Sequence, residues 1–173
     1  RGVLRARGIA RGRVDPVLAS LRTLEGVEVV ALRQIADARG AVLHMLRPDA
    51  EGTVPIGECY FSEVAPGAVK AWKRHREQAQ RLAVPVGRIR LALYDDRVTG
   101  RPPALHVVEL GRPDAYYRVL IPPGIWYGFA SIGSSAALIA NCPDRPHDPE
   151  ESESRPLDAT GFPAVWHPPV PSP

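Results

Sequence analysis

Short stretches in which apolar and polar residues alternate, each bounded by Gly, Pro, Asp or Ser, recur along most of the chain at a spacing of about ten residues. β-Branched and aliphatic residues dominate these stretches, as they do in strands that bury one face. Evenly spaced short strands are typical of a sandwich or a small barrel, so the pattern predicts a mainly β protein. From residue 57 onward the predicted strands lie at 57–64, 80–87, 88–96, 104–110, 115–124, 126–132 and 134–142.

A short helix is predicted before the strands, over residues 15–26. Asp15 is a favoured N-cap residue, Pro16 suits the first turn, and Gly26 ends the run of apolar residues at helical spacing. A hairpin is predicted next, with strands at 27–35 and 41–46 around a turn at 37–40.

The size and composition of the chain predict one domain with a core. The chain has 173 residues, of which 45% are hydrophobic, and a domain of this size can enclose a ligand cavity. We predict a basic tail and short helix over residues 1–26, a single β domain over 27–166, and a Pro-rich tail over 167–173.

The net charge of +3 does not indicate a nucleic-acid partner, because five arginines fall within residues 1–13. Without them the chain has 17 basic and 19 acidic residues, so a basic face on the domain is not expected. The sequence shows neither an apolar run long enough for a membrane span nor a signal peptide, which predicts a soluble, cytoplasmic protein without a membrane partner.

Nitrogen-bearing side chains are concentrated in residues 70–77, just before an apolar strand. Alternate residues of a strand share a face, so simple alternation places Lys73, His75 and Glu77 together and Lys70 on the opposite face. Two interpretations are open at this point: one wall of a ligand site, or an exposed edge strand whose long basic side chains extend into water. Tyr127 is a second candidate, because a buried phenol needs a hydrogen-bond partner.

Five motifs, in order, resemble those of the dTDP-4-dehydrorhamnose 3,5-epimerase family over about residues 30–166. They are DARG (37–40), APGAVKAWK (65–73), VGRIRLALYDDR (86–97), IPPGIWYGF (121–129) and ANCPDRPHDPEE (140–151). The resemblance implies that residues 27–166 form a cupin, a double-stranded β-helix or jelly-roll barrel. It also implies a homodimer.

The same resemblance implies a metal-independent epimerase or isomerase of deoxysugar, polysaccharide or natural-product biosynthesis. Its substrate would be a nucleotide-linked 4-keto-6-deoxy sugar, which loses a proton next to the ketone without the help of a cofactor. Such a reaction uses a base, usually a histidine held by an aspartate, an acid, usually a tyrosine, and cations for the enolate oxygen and the pyrophosphate.

Carried over residue by residue, the match departs from the family's pattern at the base, at the acid and at one motif histidine. The family's base falls on Lys73, or on His75 after a shift of two residues, and its acid tyrosine falls on Ala140, which leaves the acid missing. A motif histidine falls on Tyr127, and the orienting aspartate is matched to Asp158. The predicted catalytic residues are Lys73, His75, Tyr127 and Asp158, and the predicted substrate-binding residues are Arg39, Tyr60, Lys70 and Trp126.

These departures leave alternatives open. One is a catalytically altered cupin that binds a sugar nucleotide or another small ligand, and another is a cupin that uses the same pocket for a different enolate-type reaction. A third is a metal-dependent cupin with His75 and Glu77 among its ligands; our own prediction contains no metal.

Overall fold

Two five-stranded antiparallel sheets face each other in the computed structural model, which describes residues 16–46 and 56–166. The elements are α1 Pro16–Leu21, β1 Glu28–Ala31, β2 Gln34–Asp37, β3 Gly40–Leu43, β4 Tyr60–Val64, β5 Val69–His75, β6 Gln80–Val86, β7 Arg88–Asp95, β8 Ala104–Gly111, β9 Tyr117–Ile121, β10 Trp126–Ser131, β11 Ala137–Asn141 and β12 Ser152–Ser154. The first sheet has the order β1-β9-β6-β11-β4, the second has the order β12-β5-β10-β7-β8, and β2 and β3 form a separate hairpin. The prediction of a mainly β cupin is confirmed.

The core lies between the two sheets because each sheet turns its apolar face inward. Leu82 of β6 and Ile139 of β11 come from the first sheet, and Leu91 of β7 comes from the second; all three are almost completely buried in one cluster. Each such side chain stabilises the fold by about 1.5–3 kcal/mol relative to an exposed one.

The N-terminal elements are shorter than predicted. The helix ends at Leu21, and the residues that follow form turns in which Leu24 is still buried in the core. The predicted strand over 27–35 is interrupted between β1 and β2, where the Leu32 N–H donates to the Tyr116 carbonyl. The chain leaves the first sheet there and enters the hairpin.

The charged, Pro-rich segment after residue 142 packs against the domain over the part that the structure describes. β12 pairs with the edge strand β5, with Ser152 opposite His75 and Ser154 opposite Lys73. Further on, Trp166 packs on Trp72, with ring centroids 5.0 Å apart, and covers the outer face of the second sheet. Apolar burial therefore holds this segment against the domain despite its many charges.

The basic residues 1–13, the predicted N-cap Asp15 and the Pro-rich residues 167–173 lie outside the described residues. Within residues 16–46 and 56–166, no helix has the length and apolar character that crossing a membrane requires.

Candidate active site

A cavity of about 320 Å³ opens between the two sheets. Its walls come from β4, β6 and β11 of the first sheet and from β5, β10 and β12 of the second. The lining residues are Tyr60, Ser62, Lys70, Ala71, Trp72, Lys73, Leu82, Tyr127, Phe129, Ile139, Asn141 and Ser154.

An irregularity in the pairing of β5 with β10 brings both lysines to this cavity. Tyr127 lies opposite Lys73 and Phe129 lies opposite Lys70, so three steps along β5 match two steps along β10. An extra residue of this kind reverses which side chains face inward beyond it. The simple alternation that placed Lys70 on the opposite face from Lys73 is therefore wrong.

The two cavity lysines are the only lysines in the sequence, where 22 residues are Lys or Arg. Lys70 Nζ donates to Ser62 Oγ at 3.0 Å and to the Glu63 carbonyl at 2.6 Å. The lining side chains of the described residues include no carboxylate. The cavity is consequently suited to an anionic ligand.

His75, at the end of β5, is held by a carboxylate. Its Nδ1 lies 2.6 Å from Glu151 Oε2, and the two side chains are 5% and 12% exposed. Glu151 is fixed in turn, because its Oε1 accepts hydrogen bonds from the backbone N–H groups of Glu77 at 2.6 Å and Gln78 at 2.7 Å. This pair has the geometry of a histidine oriented by a buried acid.

The charges of this pair follow from its surroundings. Burial lowers the pKa of His75 below its ordinary value, and the hydrogen bond and charge of Glu151 oppose this only in part. Burial also disfavours ionisation of Glu151, but hydrogen bonds from the Glu77 and Gln78 backbone and from His75 outweigh it and lower the pKa of the carboxyl. An ionised Glu151 accepts from Nδ1–H, which leaves Nε2 of the neutral imidazole as an acceptor.

Tyr127 stands between His75 and the cavity. Its Oη lies 3.1 Å from His75 Nε2, and its ring lines the cavity. Burial, with smaller contributions from Tyr60 and Glu151, raises the pKa of the Tyr127 phenol far above its usual value. The phenol is therefore protonated and donates to Nε2.

Tyr60 lies across the cavity from Tyr127, on β4 of the first sheet. Its Oη is 2.8 Å from Asn141 Nδ2. Burial raises the pKa of the Tyr60 phenol, and its hydrogen bond with Asn141 opposes this in part.

Three residues predicted for the site lie elsewhere in this chain. Arg39 is on the β2–β3 turn with its side chain 91% exposed, where it pairs with Asp37 at 2.8 Å. Trp126 is buried on the outer face of the second sheet, with the Arg74 guanidinium 4.4 Å from its ring centroid. Asp158 lies in an exposed turn, and the acid that holds His75 is Glu151.

The sequence did contain a signal for Glu151, because it is the last residue of the fifth family-like motif. Asn141 and Ser62 were not predicted, since nothing in one sequence distinguishes them from other polar strand residues. Ala140, matched to the family's acid tyrosine, is absent from the cavity lining, whereas its neighbours Ile139 and Asn141 are part of it. Alternation along β11 thus turns residue 140 away from the cavity.

Within residues 16–46 and 56–166, no three His, Cys, Asp or Glu side chains are grouped as a metal site would need. Both ring nitrogens of His75 are engaged, one by Glu151 and one by Tyr127.

The chain is similar to several sugar-modifying proteins. The crystal structure of a dTDP sugar isomerase from Desulfovibrio desulfuricans is 51% identical in sequence and superposes with a TM-score of 0.78. The match spans 82% of this chain and 91% of the isomerase chain. A probable low-salt glycan biosynthesis epimerase of Haloferax volcanii is 32% identical over 149 residues, which are 83% of this chain and 95% of that protein.

A more distant structure agrees in fold. NovW, a 4-keto-6-deoxy sugar epimerase of Streptomyces spheroides, is 23% identical, covers 78% of this chain and 71% of its own, and has a TM-score of 0.66. No family model matches the chain.

Proposed function

The chain belongs to the dTDP-4-dehydrorhamnose 3,5-epimerase-like cupins, and we propose that it is an epimerase or isomerase acting on a nucleotide-linked 4-keto-6-deoxy sugar. The reaction starts with removal of a proton from the carbon next to the ketone, and it uses side chains and no metal. The observation that carries the proposal is the geometry of His75, which is held by Glu151 and joined through Tyr127 to a cavity lined by Lys70 and Lys73.

The first step moves a proton from the substrate carbon toward His75. Tyr127 Oη takes the proton while its own proton passes to His75 Nε2, so one C–H bond and one O–H bond break as one O–H bond and one N–H bond form. The imidazolium that results is stabilised by Glu151 at 2.6 Å. Because both transfers occur together, a free phenolate, which the buried site disfavours, is not required.

The electron pair of the broken C–H bond becomes an enolate, whose oxygen carries negative charge. Lys73, which lines the cavity next to Tyr127 on the paired strand, is placed to stabilise that oxygen. Among the described residues, no hydrogen bond or ion pair engages the Lys73 ammonium, so it is available to a ligand. Lys70, already fixed by Ser62 and the Glu63 carbonyl, is suited to an oxygen of the pyrophosphate.

We further propose that the protein works as a homodimer in which Arg39 contacts the ligand of the partner subunit's cavity. The support is its 91% exposure on a hairpin that also exposes Ile35 and Val42, at 43% and 63%. Mixing Arg39→Ala with His75→Asn tests this: shared sites would recover up to about a quarter of the activity, whereas independent sites would recover none. The cytoplasmic location stays a prediction.

The experiment that tests the activity is incubation with dTDP-4-keto-6-deoxyglucose, followed by NMR of the sugar ring. We expect conversion to a stereoisomer or to a positional isomer of the keto sugar. Recovery of the unchanged substrate, with a folded protein at high concentration, would overturn the proposal.

A further inference from the structure

The cavity has a second phenol, and it lies on the wall opposite His75. Tyr60 belongs to β4 of the first sheet, whereas Tyr127 and His75 belong to β10 and β5 of the second. Tyr60 lies directly across the strand pair from Asn141 of β11. Inversion at a carbon requires that the proton leave from one face and return to the other, so two proton-transfer groups on opposite walls are what such a reaction needs.

The direction of the hydrogen bond between Asn141 and Tyr60 can be deduced. The backbone N–H of Arg81 can only donate, and it donates to Asn141 Oδ1 at 3.1 Å. The other end of the amide is therefore Nδ2, whose two protons go to Tyr60 Oη at 2.8 Å and to Gln80 Oε1 at 2.6 Å. Tyr60 Oη is thus an acceptor toward Asn141.

As a consequence, the proton of the Tyr60 hydroxyl points somewhere other than Asn141. Among residues 16–46 and 56–166, no acceptor is recorded for it, and the phenol lines the cavity. A tyrosine phenol is protonated at neutral pH, and burial raises the pKa of this one further. The Tyr60 hydroxyl can therefore donate its proton to a ligand.

The chain of amides that fixes Asn141 extends to the acid that holds His75. Gln80 Nε2 donates to Gln78 Oε1 at 2.7 Å, and the Gln78 backbone N–H donates to Glu151 Oε1 at 2.7 Å. Gln78 and Gln80 are 4% and 1% exposed. Buried polar groups that are fully satisfied in this way set a unique geometry, here on both walls of the cavity.

From this arrangement we infer that Tyr60 is the general acid that returns a proton to the substrate carbon on the face opposite His75, and that Asn141 is its positioning residue. The inference rests on the proposed function. The Tyr60 O–H bond breaks as the new C–H bond forms, the enolate electron pair is used in that bond, and the resulting phenolate keeps the hydrogen bond from Asn141. The phenolate regains a proton from water and His75 loses one to water, so the cycle needs no other reactant.

The position matched to the family's acid tyrosine is Ala140, and Tyr60 takes over the role of that tyrosine. Residue 140 faces away from the cavity, and its neighbour Asn141, which faces into it, is too short to replace a phenol but holds one from the adjacent strand. The acid is supplied by β4 and positioned by β11.

The test separates proton removal from inversion. Wild-type protein and the variant Tyr60→Phe are incubated with dTDP-4-keto-6-deoxyglucose in D2O. Both the deuterium content of the recovered substrate and the amount of inverted sugar are measured by NMR. Without its acid, the variant still removes the proton and returns a deuteron from the His75 side, so labelling with retained configuration continues. Inverted product is expected to fall by at least about 100-fold.

Asn141→Asp is the second variant, because its carboxylate has no donor and accepts the Tyr60 proton instead. We expect the same separation of labelling from inversion, which a purely structural role would not produce. Tyr116→Phe is the matched control: it removes the hydroxyl of a buried tyrosine that donates to the His44 carbonyl, outside the cavity. Its activity should stay within about twofold of wild type.

Each remaining outcome overturns the inference. If Tyr60→Phe inverts the sugar at the wild-type rate, Tyr60 is not the general acid. If a folded Tyr60→Phe loses both the labelling and the inversion, Tyr60 acts before or during proton removal. A wild-type protein that neither labels nor converts the substrate refutes the proposed function, and this inference with it.

Discussion

Nδ1 of His75 and Oε2 of Glu151 are 2.6 Å apart, although 76 positions separate the two residues in the chain. The strand pairing of β12 with β5 brings them together, and two backbone N–H groups hold the far oxygen of the carboxylate. The edge of the second sheet thereby fixes both the tautomer and the orientation of the imidazole.

Replacing Glu151 with glutamine should reduce kcat by about 10²–10⁴-fold. The amide has nearly the same shape but no charge, so it neither stabilises the imidazolium nor enforces the tautomer with Nε2 free. Steady-state kinetics measures the effect. Glu153→Gln is the matched control, because Glu153 pairs with Arg74 and Arg76 outside the cavity; equal losses in the two variants would refute the role of Glu151.

The pH dependence of kcat/KM should show an acid limb governed by His75. The imidazole accepts a proton only when neutral, and burial lowers its pKa below the ordinary 6.5, so activity rises with pH through a midpoint below that value. Because Glu151 raises the pKa of His75, removing its charge should move the limb of Glu151→Gln to still lower pH. An acid limb that moves to higher pH in this variant would contradict the assignment of the limb to His75.

Replacing Lys73 with methionine should lower kcat/KM by about 10–100-fold, because a charge-assisted hydrogen bond to the substrate contributes about 1.5–3 kcal/mol. Rising ionic strength should lower the kcat/KM of the wild type more than that of the methionine variant. Lys73→Arg is the comparison that keeps the charge and changes the geometry. A methionine variant as active as wild type would place the enolate oxygen elsewhere.

Gly128, next to Tyr127 on β10, is needed for the packing of the C-terminal segment. A Cβ there would overlap the Ala71 side chain and come within 2.9 Å of Trp166 Cζ2. Gly128→Ala should therefore lower the free energy of unfolding by about 1–3 kcal/mol, measured in urea. Gly133→Ala is the control, since the nearest atoms would be 3.8 Å away, and its stability should change by less than about 0.5 kcal/mol.

Most of the strands could be predicted from the sequence, because alternation over four to eight residues reports directly on which face is buried. The strands from β6 to β11 all lie within or close to predicted stretches. The faces of β5 could not be predicted, because the extra residue between Lys70 and Lys73 depends on its pairing with β10.

The residues of the candidate site could be predicted only in part, because some of their contacts also depend on strand pairing. His75 and Tyr127 have side chains whose chemistry is visible in a sequence, and they do meet. Glu151 lies in a charged segment that resembles a solvated loop, and only the pairing of β12 shows that its carboxylate turns inward. Trp126 is a predicted substrate-binding residue, but it adjoins the cavity residue Tyr127 on β10, and adjacent residues of a strand face opposite sides.

His75 is proposed to be the base that drives proton removal from the carbon next to the ketone, acting through Tyr127. The most direct measurement is the rate at which that carbon gains deuterium from D2O, followed by NMR with dTDP-4-keto-6-deoxyglucose, for wild type, His75→Asn and the control His106→Asn, a half-buried strand histidine outside the cavity. We expect labelling by wild type and His106→Asn, and a rate at least about 100-fold lower in His75→Asn. Labelling by His75→Asn at the wild-type rate would refute His75 as the base.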